Sequence, residues 1–350
     1  VIALLDNLLT GDLLADVAGR AVHGPFSMLH MAGPAHWREK HLLFLAEQSR
    51  PPFALVKWAR GQWATGLADE QVARQHVRAL PDPTLVASCP PSWGPLKVHP
   101  DALITVERYY ASRSIYAQLH NSLAPWSLIE GHLSSVSAWL SRFGRATLQP
   151  PRPFDEAQLE EQIAAPLRAF AARFGEATAP SAMIDELIGV ARSHLGMPVP
   201  FIAEHGDLWP SNVLVPRGPG GELYIVDWEH YRPVSLAGFD MLFFCMTYTR
   251  EIPGRPLSWV GTEEALRRGF CRDTRLARRI RQFLDWNCAA TGLPRTLVPV
   301  LLPVMIARLS LRHADAPLDT SEEPESYWPA TFRVWAKLST GSWLTSWAKQ

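Results

Sequence analysis

Apolar and polar positions alternate in two different ways along this 350-residue chain. Between residues 26 and 60 short apolar runs are separated by turn residues. Phe26 to Met31, His41 to Glu47 and Phe53 to Trp58 read as three strands, with Gly33/Pro34 and Pro51/Pro52 as punctuation. The segment LADEQVARQHVRAL then predicts a helix, with Leu67, Val72 and Leu80 along one face and Pro81 as its stop. Leu103 to Val106 is a further apolar run, followed by Glu107, Arg108, Tyr109 and Tyr110. From residue 114 the pattern is mainly helical. Its candidates are Ser114–Asn121, Leu128–Phe143, Phe154–Phe174 and Ala182–Leu195, set apart by prolines. Upstream, VIALLDNLLTGDLLADV carries Asp6, Asp12 and Asp16, which predicts an amphipathic helix and not a signal peptide.

Residues 201–240 break the helical run. His205, Asp207 and Asn212 are spaced H-x-D-x-x-x-x-N, and Val213–Val215 and Leu223–Val226 flank a Pro/Gly cluster. Gly220 and Gly221 supply the positive φ that a hairpin turn needs. Folding back would bring Asp227 beside Asn212, an amide oxygen and a carboxylate within reach of one hard cation such as Mg²⁺. Asp207 is left to face a substrate hydroxyl, an arrangement suited to phosphoryl transfer. A metal-hydrolase site built from His205, Asp207 and Asp227 is the competing reading, but it lacks a second well-placed histidine.

HGDLWPSNVL followed by IVDWE resembles the signature of the aminoglycoside phosphotransferase and choline kinase-like family. The resemblance implies an α+β, two-lobed, protein-kinase-like fold, with a small antiparallel-sheet N-lobe and a larger, mainly helical C-lobe. It implies a nucleotide-binding lobe over residues 1–107 and a catalytic and acceptor lobe over 108–350. Asp207 and His205 match the catalytic loop, and Asn212 and Asp227 match the metal ligands. By the same resemblance Lys57 contacts the ATP phosphates, Glu70 pairs with it, and the main chain from Glu107 to Tyr109 meets the adenine edge. Lys40 competes for the lysine role, but its neighbours REKH read as a solvated turn. The G-x-G-x-x-G loop of protein kinases has no counterpart in AGPAHWRE, a region where aminoglycoside-type kinases are looser. Asp240 and Glu229 stand where related kinases carry, respectively, a carboxylate bracing the loop and a second acid.

Composition narrows the partners. Hydrophobic residues make up 47% and charged residues 19%, as in a folded chain, and the formal net charge is zero. Nothing there points to nucleic acid or an anionic membrane. No uninterrupted apolar stretch of about 18 residues suggests a membrane span. The four cysteines have no C-x-x-C spacing and read as reduced thiols in a cytoplasmic protein. The run Arg267, Arg268, Arg272, Arg275, Arg278, Arg279 and Arg281 reads as a solvated face, and weakly disfavours a polycationic substrate. Glu322, Glu323 and Glu325 could supply an acidic patch. Trp328, Trp335, Trp343 and Trp347 read as a terminal helix packed on the C-lobe, with a membrane-surface helix as the other option.

The expected activity is transfer of the γ-phosphate of ATP, with Mg²⁺, to a hydroxyl of a sugar, aminoglycoside, amino alcohol or similar metabolite. The alternative is a catalytically inactive, nucleotide-binding or scaffold protein of the same fold. Neither the acceptor nor the oligomeric state is legible.

Overall fold

The computed structural model describes residues 11–22, 25–32, 40–48, 50–120, 124–217, 222–252, 262–314 and 327–350. The turn expected at Gly33/Pro34, most of AGPAHWRE, the hairpin glycines Gly220 and Gly221, and the acids Glu322, Glu323 and Glu325 lie outside the described residues. The strands, in chain order, are β1 (Phe26–Ala32), β2 (Lys40–Glu47), β3 (Pro52–Arg60), β4 (Ser92–His99), β5 (Ala102–Arg108), β6 (Ser112–Ser114), β7 (Phe201–Glu204), β8 (Val213–Pro216), β9 (Tyr224–Ile225) and β10 (Arg232–Leu236). The chain divides into two compact units, Val1–Ser114 with Asn212–Tyr231, and Ile115–Ser211 with Arg232–Gln350. The boundary expected at residue 107 falls within β5. The hairpin, expected with the C-terminal lobe, belongs to the first unit.

The first unit is built on an antiparallel sheet in the order β1-β2-β3-β5-β4. Alternation along β3 gives the sheet two distinct faces. Ala54 and Val56 join Leu43, Leu45, Ile104 and Val106 in one buried cluster, to which helix α1 (Gly11–Ala18) adds Leu14 and Val17. Lys57 points to the opposite face, where α2 (Gln62–Arg78) packs. That helix buries Leu67 as expected, but Val72 is 51% exposed. Beside Leu67, Ala73 and Val77 its buried positions include Glu70, Gln71 and Arg74, and Glu70 meets the charge that Lys57 puts on the sheet face. A short helix, α3 (Pro83–Ser88), precedes β4. A second, three-stranded sheet has the order β6-β8-β9.

The second unit is mainly helical. It contains α4 (Ile115–His120), α5 (Trp126–Thr147), α6 (Glu156–Leu159), α7 (Ala165–Phe174), α8 (Ser181–Arg192), α9 (Phe239–Glu251), α10 (Thr262–Leu266), α11 (Arg275–Thr291), α12 (Val298–Ala314), α13 (Tyr327–Leu338) and α14 (Trp343–Trp347). A π-helical turn, Glu160–Ala164, joins α6 to α7, so the expected helix over 154–174 is continuous in course if not in type. The unit's two-stranded sheet pairs β7 with β10. Helix α12 runs through the core, with Val298, Leu301, Leu302, Met305 and Ile306 all buried. With its preceding turn, over Arg295–Ala314, it is long and apolar enough to cross a membrane, but 67% of that stretch is buried inside the unit. The four tail tryptophans are buried as well, so the apolar face expected there is spent on packing.

The arginine run finds local partners. Arg267 and Arg272 reach Glu263 and Glu264, each at 2.7 Å. Arg275 and Arg279 share Glu130, and Arg281 lies over the Trp343 ring.

Candidate active site

Lys57 is the centre of a buried ion network in the first unit. Its ammonium lies 2.9 and 2.8 Å from the two oxygens of Glu70, 2.9 Å from Glu107 Oε1 and 4.0 Å from Asp227 Oδ1. Arg74 donates to Glu70 at 2.8 Å and to the Pro90 carbonyl at 2.7 Å. Glu107 Oε1 is 2.9 Å from Arg74 Nη2 as well. Neither of its donors is aligned for a hydrogen bond, so its hold on both cations is Coulombic. Burial opposes the charge on Lys57, but Glu107, Glu70 and Asp227 outweigh it and hold the ammonium well above its ordinary value. Burial likewise opposes ionisation of Glu70, yet Lys57 and Arg74 hold its carboxyl well below the usual range. The result is a buried cation on β3, held by carboxylates on both sides.

The structure thus pairs Lys57 with Glu70 and adds Glu107 through its side chain, where the sequence offered only its backbone. Tyr109 is placed differently. Its amide donates to the Phe53 carbonyl at 2.9 Å, extending the sheet, so that donor is not open to an adenine edge. Its ring meets Phe44 edge-on at 5.5 Å.

The hairpin register pairs Val213 with Ile225 and Leu214 with Tyr224. One step further, the Val226 amide donates to the Asn212 carbonyl at 3.1 Å, so Asp227 follows directly on the residue bonded to Asn212. Asp227 has φ 67°, in the left-handed region that aspartate tolerates better than most residues. Its carboxylate lies 3.7 Å from the Lys40 ammonium. Lys40 itself is buried at the start of β2, and it donates to Glu229 at 3.1 Å. This corrects the solvated-turn reading: REKH is polar in sequence, but its lysine is covered by a partner 189 positions away. Glu229 needs room on α2, where a Cβ at Gly66 would come within 2.8 Å of its Oε2. Burial and the Asp227 charge push the Glu229 carboxyl up, against the pull of Lys40.

Asn212 and Asp227 offer oxygen donors of the kind a hard cation takes, and Mg²⁺ needs only one or two protein ligands when phosphates and water complete its shell. No three His, Cys, Asp or Glu side chains among the described residues gather as a metal cage.

The residues expected to form a catalytic loop follow β7 in the second unit. The amides of His205 and Gly206 donate to the two oxygens of Asp240, at 2.6 and 2.9 Å. Gly206 has φ 80°, which glycine adopts freely and which turns both amides toward one carboxyl. His205 is fully buried, and its Nδ1 accepts from the Asp207 amide at 3.2 Å. Its proton therefore sits on Nε2. Asp240 braces the loop as well as opening α9. Burial, with Glu204 adding to it, pushes its carboxyl up to about 7, against the two amides and Arg308.

Two arginines of α12 were missed by sequence reasoning. Arg312 donates to the Gly206 carbonyl at 2.8 Å and to Asp207 Oδ1 at 3.2 Å. Arg308 grips Glu204 through both oxygens, at 3.0 and 2.8 Å. Two arginines four apart in an otherwise apolar helix were the available signal, since buried arginines need partners.

No protein-family model matches the chain, and no curated protein matches it by sequence. Solved structures do match. Plasmodium vivax ethanolamine kinase Pv091845 superposes with a TM-score of 0.53 at 10% identity, over 96% of this chain and 85% of that one. Aminoglycoside phosphotransferase APH(4)-Ia gives 0.52 at 12% identity, over 97% and 99%. A thermostable mutant of APH(4)-Ia, in ternary complex with ADP and hygromycin B, gives 0.52 at 12% identity, over 95% and 98%. The likeness is one of fold: a small antiparallel-sheet unit and a mainly helical unit, in the kinase-like arrangement of elements these phosphotransferases share.

Proposed function

We propose that this chain is an ATP-dependent phosphotransferase that moves the γ-phosphate of ATP to a hydroxyl of a small molecule. One observation carries the reading: a buried strand lysine, Lys57, is tied to a helix glutamate, Glu70, and lies 4.0 Å from a hairpin carboxylate, Asp227. A lysine fixed in this way suits the non-transferred phosphates, where charge builds as the γ-phosphoryl group leaves. Glu70 and Glu107 hold it in place. Asn212 and Asp227 would hold Mg²⁺, which when bound supplies charge neutralisation for the phosphates. Backbone groups next to Tyr109 would take the adenine edge.

In the second unit Asp207 orients the acceptor hydroxyl and accepts its proton as the new P–O bond forms. His205, Asp240 and Arg312 keep the loop in shape for that task. The ethanolamine kinase and the hygromycin B complex among the similar structures support a hydroxylated small metabolite or sugar as acceptor. The four free cysteines suit a reducing compartment, and we place the protein in the cytoplasm.

The test is ADP release from MgATP against a panel of sugars, amino alcohols and aminoglycosides, with Asp207→Asn as control. Acceptor-dependent release that disappears in the variant supports the reading. Saturable MgATP binding with no release for any acceptor favours the inactive scaffold, and no nucleotide binding overturns both.

A further inference from the structure

Asp227 is flanked by two ammonium groups. Lys57 lies 4.0 Å from its Oδ1, and Lys40 lies 3.7 Å from the same oxygen while donating to Glu229 at 3.1 Å. The Lys40 side chain is only 5% exposed, and Gly66 leaves the space that lets Glu229 meet it. We propose that Lys40 is a resident counter-ion for Asp227 and Glu229 that a divalent cation must displace, so that metal reaches Asp227 together with nucleotide phosphates able to receive the freed ammonium. The proposal rests on the metal role given to Asp227 above.

Charge balance supports it. Among the described residues the cluster holds three cations, Lys40, Lys57 and Arg74, against four carboxylates, Glu70, Glu107, Asp227 and Glu229. That leaves one negative charge (3 − 4 = −1). Adding a dication to the cluster as it stands gives +1, an excess that phosphate anions would cancel. Without Lys40 the cluster holds −2, and a dication alone balances it. Lys40 also has the right mechanics, since a flexible four-carbon stem can swing its charge from carboxylate to phosphate, whereas a planar guanidinium fork moves less readily between partners.

The experiment is Mn²⁺ titration of the full chain without nucleotide, read by electron paramagnetic resonance of the free ion, for wild type, Lys40→Met and Lys40→Arg. Lys40→Met should bind Mn²⁺ about tenfold more tightly than wild type, or better, because one nearby positive charge has gone. Lys40→Arg, which keeps the charge, should bind Mn²⁺ no more tightly than wild type. Equal Mn²⁺ affinity in wild type and Lys40→Met, or none in either, overturns the proposal. A weakly folded Lys40→Met is read through its melting temperature: Mn²⁺ should raise it more than that of wild type, and an equal rise counts against the counter-ion. Wild-type MgATP binding is measured alongside. If it is absent while the Mn²⁺ difference stands, the phosphotransferase reading fails and the competition at Asp227 does not.

Discussion

In the first unit Lys57, Glu70, Arg74 and Glu107 hold one another by charge, whereas in the second Asp207 is held by backbone groups that converge on Asp240 and Arg312. The ion network gathers side chains from β3, α2 and β5, each expensive to bury alone and tolerable only with its partners. The loop is a local turn whose amides and carbonyl are collected by two side chains of the surrounding helices. The difference teaches where each site is vulnerable. Removing a member of the network leaves a buried charge uncompensated and endangers folding. Changing Asp207, whose side chain is 22% exposed, should spare the fold and, on the proposed function, remove activity.

Four substitutions sharpen or break that contrast. Asp207→Asn is expected to have the largest effect, a loss of about 10²- to 10⁴-fold in phosphotransfer rate, with an unchanged melting temperature. A variant that melts early would move Asp207 into the structural class. Glu70→Gln should lower folding stability by about 3–5 kcal/mol in urea titration, because Lys57 and Arg74 lose a shared buried carboxylate. If the loss is near zero, the network does not organise the first unit.

Asp240→Asn keeps one acceptor oxygen for two amides, so it should cost about 1–3 kcal/mol. This position also sets a pH dependence. The folded-state value of about 7 stands above the ordinary 3.8, so the folded chain holds a proton that the unfolded chain has already released. The stability this adds is complete below 3.8 and is lost as the pH rises through 7. Urea titrations of wild type and variant at several pH values should therefore differ in slope over that window, and parallel curves would remove the burial argument. Arg312→Lys is the mildest case. It keeps the charge but loses the fork that spans Gly206 and Asp207, and a fall in rate of about tenfold or less is expected, with stability unchanged.

The contrast also decides what could be read from sequence. The loop and hairpin are local, so His205, Asp207, Asn212 and Asp227 were legible from spacing and turn chemistry. Lys57 and Glu70 were legible through a family resemblance, since nothing local singles out one lysine on a strand. The Glu107 side chain and Lys40 were not legible. Their partners come from remote segments, and a polar neighbourhood in sequence says nothing about what covers a residue in space. Arg312 could have been suspected from its apolar helix, but its target on Gly206 and Asp207 could not. The helix containing Glu70 was located, while its inward face was misjudged at Val72, because the expected face assumed an apolar partner and the sheet there presents Lys57.

The central claim is that Lys57 and Asp227 form a nucleotide-phosphate and metal site. Calorimetric titration with a non-hydrolysable ATP analogue, with and without Mg²⁺, for wild type and Asp227→Asn, tests it most directly. One saturable site per chain is expected, strengthened by Mg²⁺ in wild type and insensitive to Mg²⁺ in the variant. No saturable binding, or the same Mg²⁺ dependence in both proteins, would contradict it.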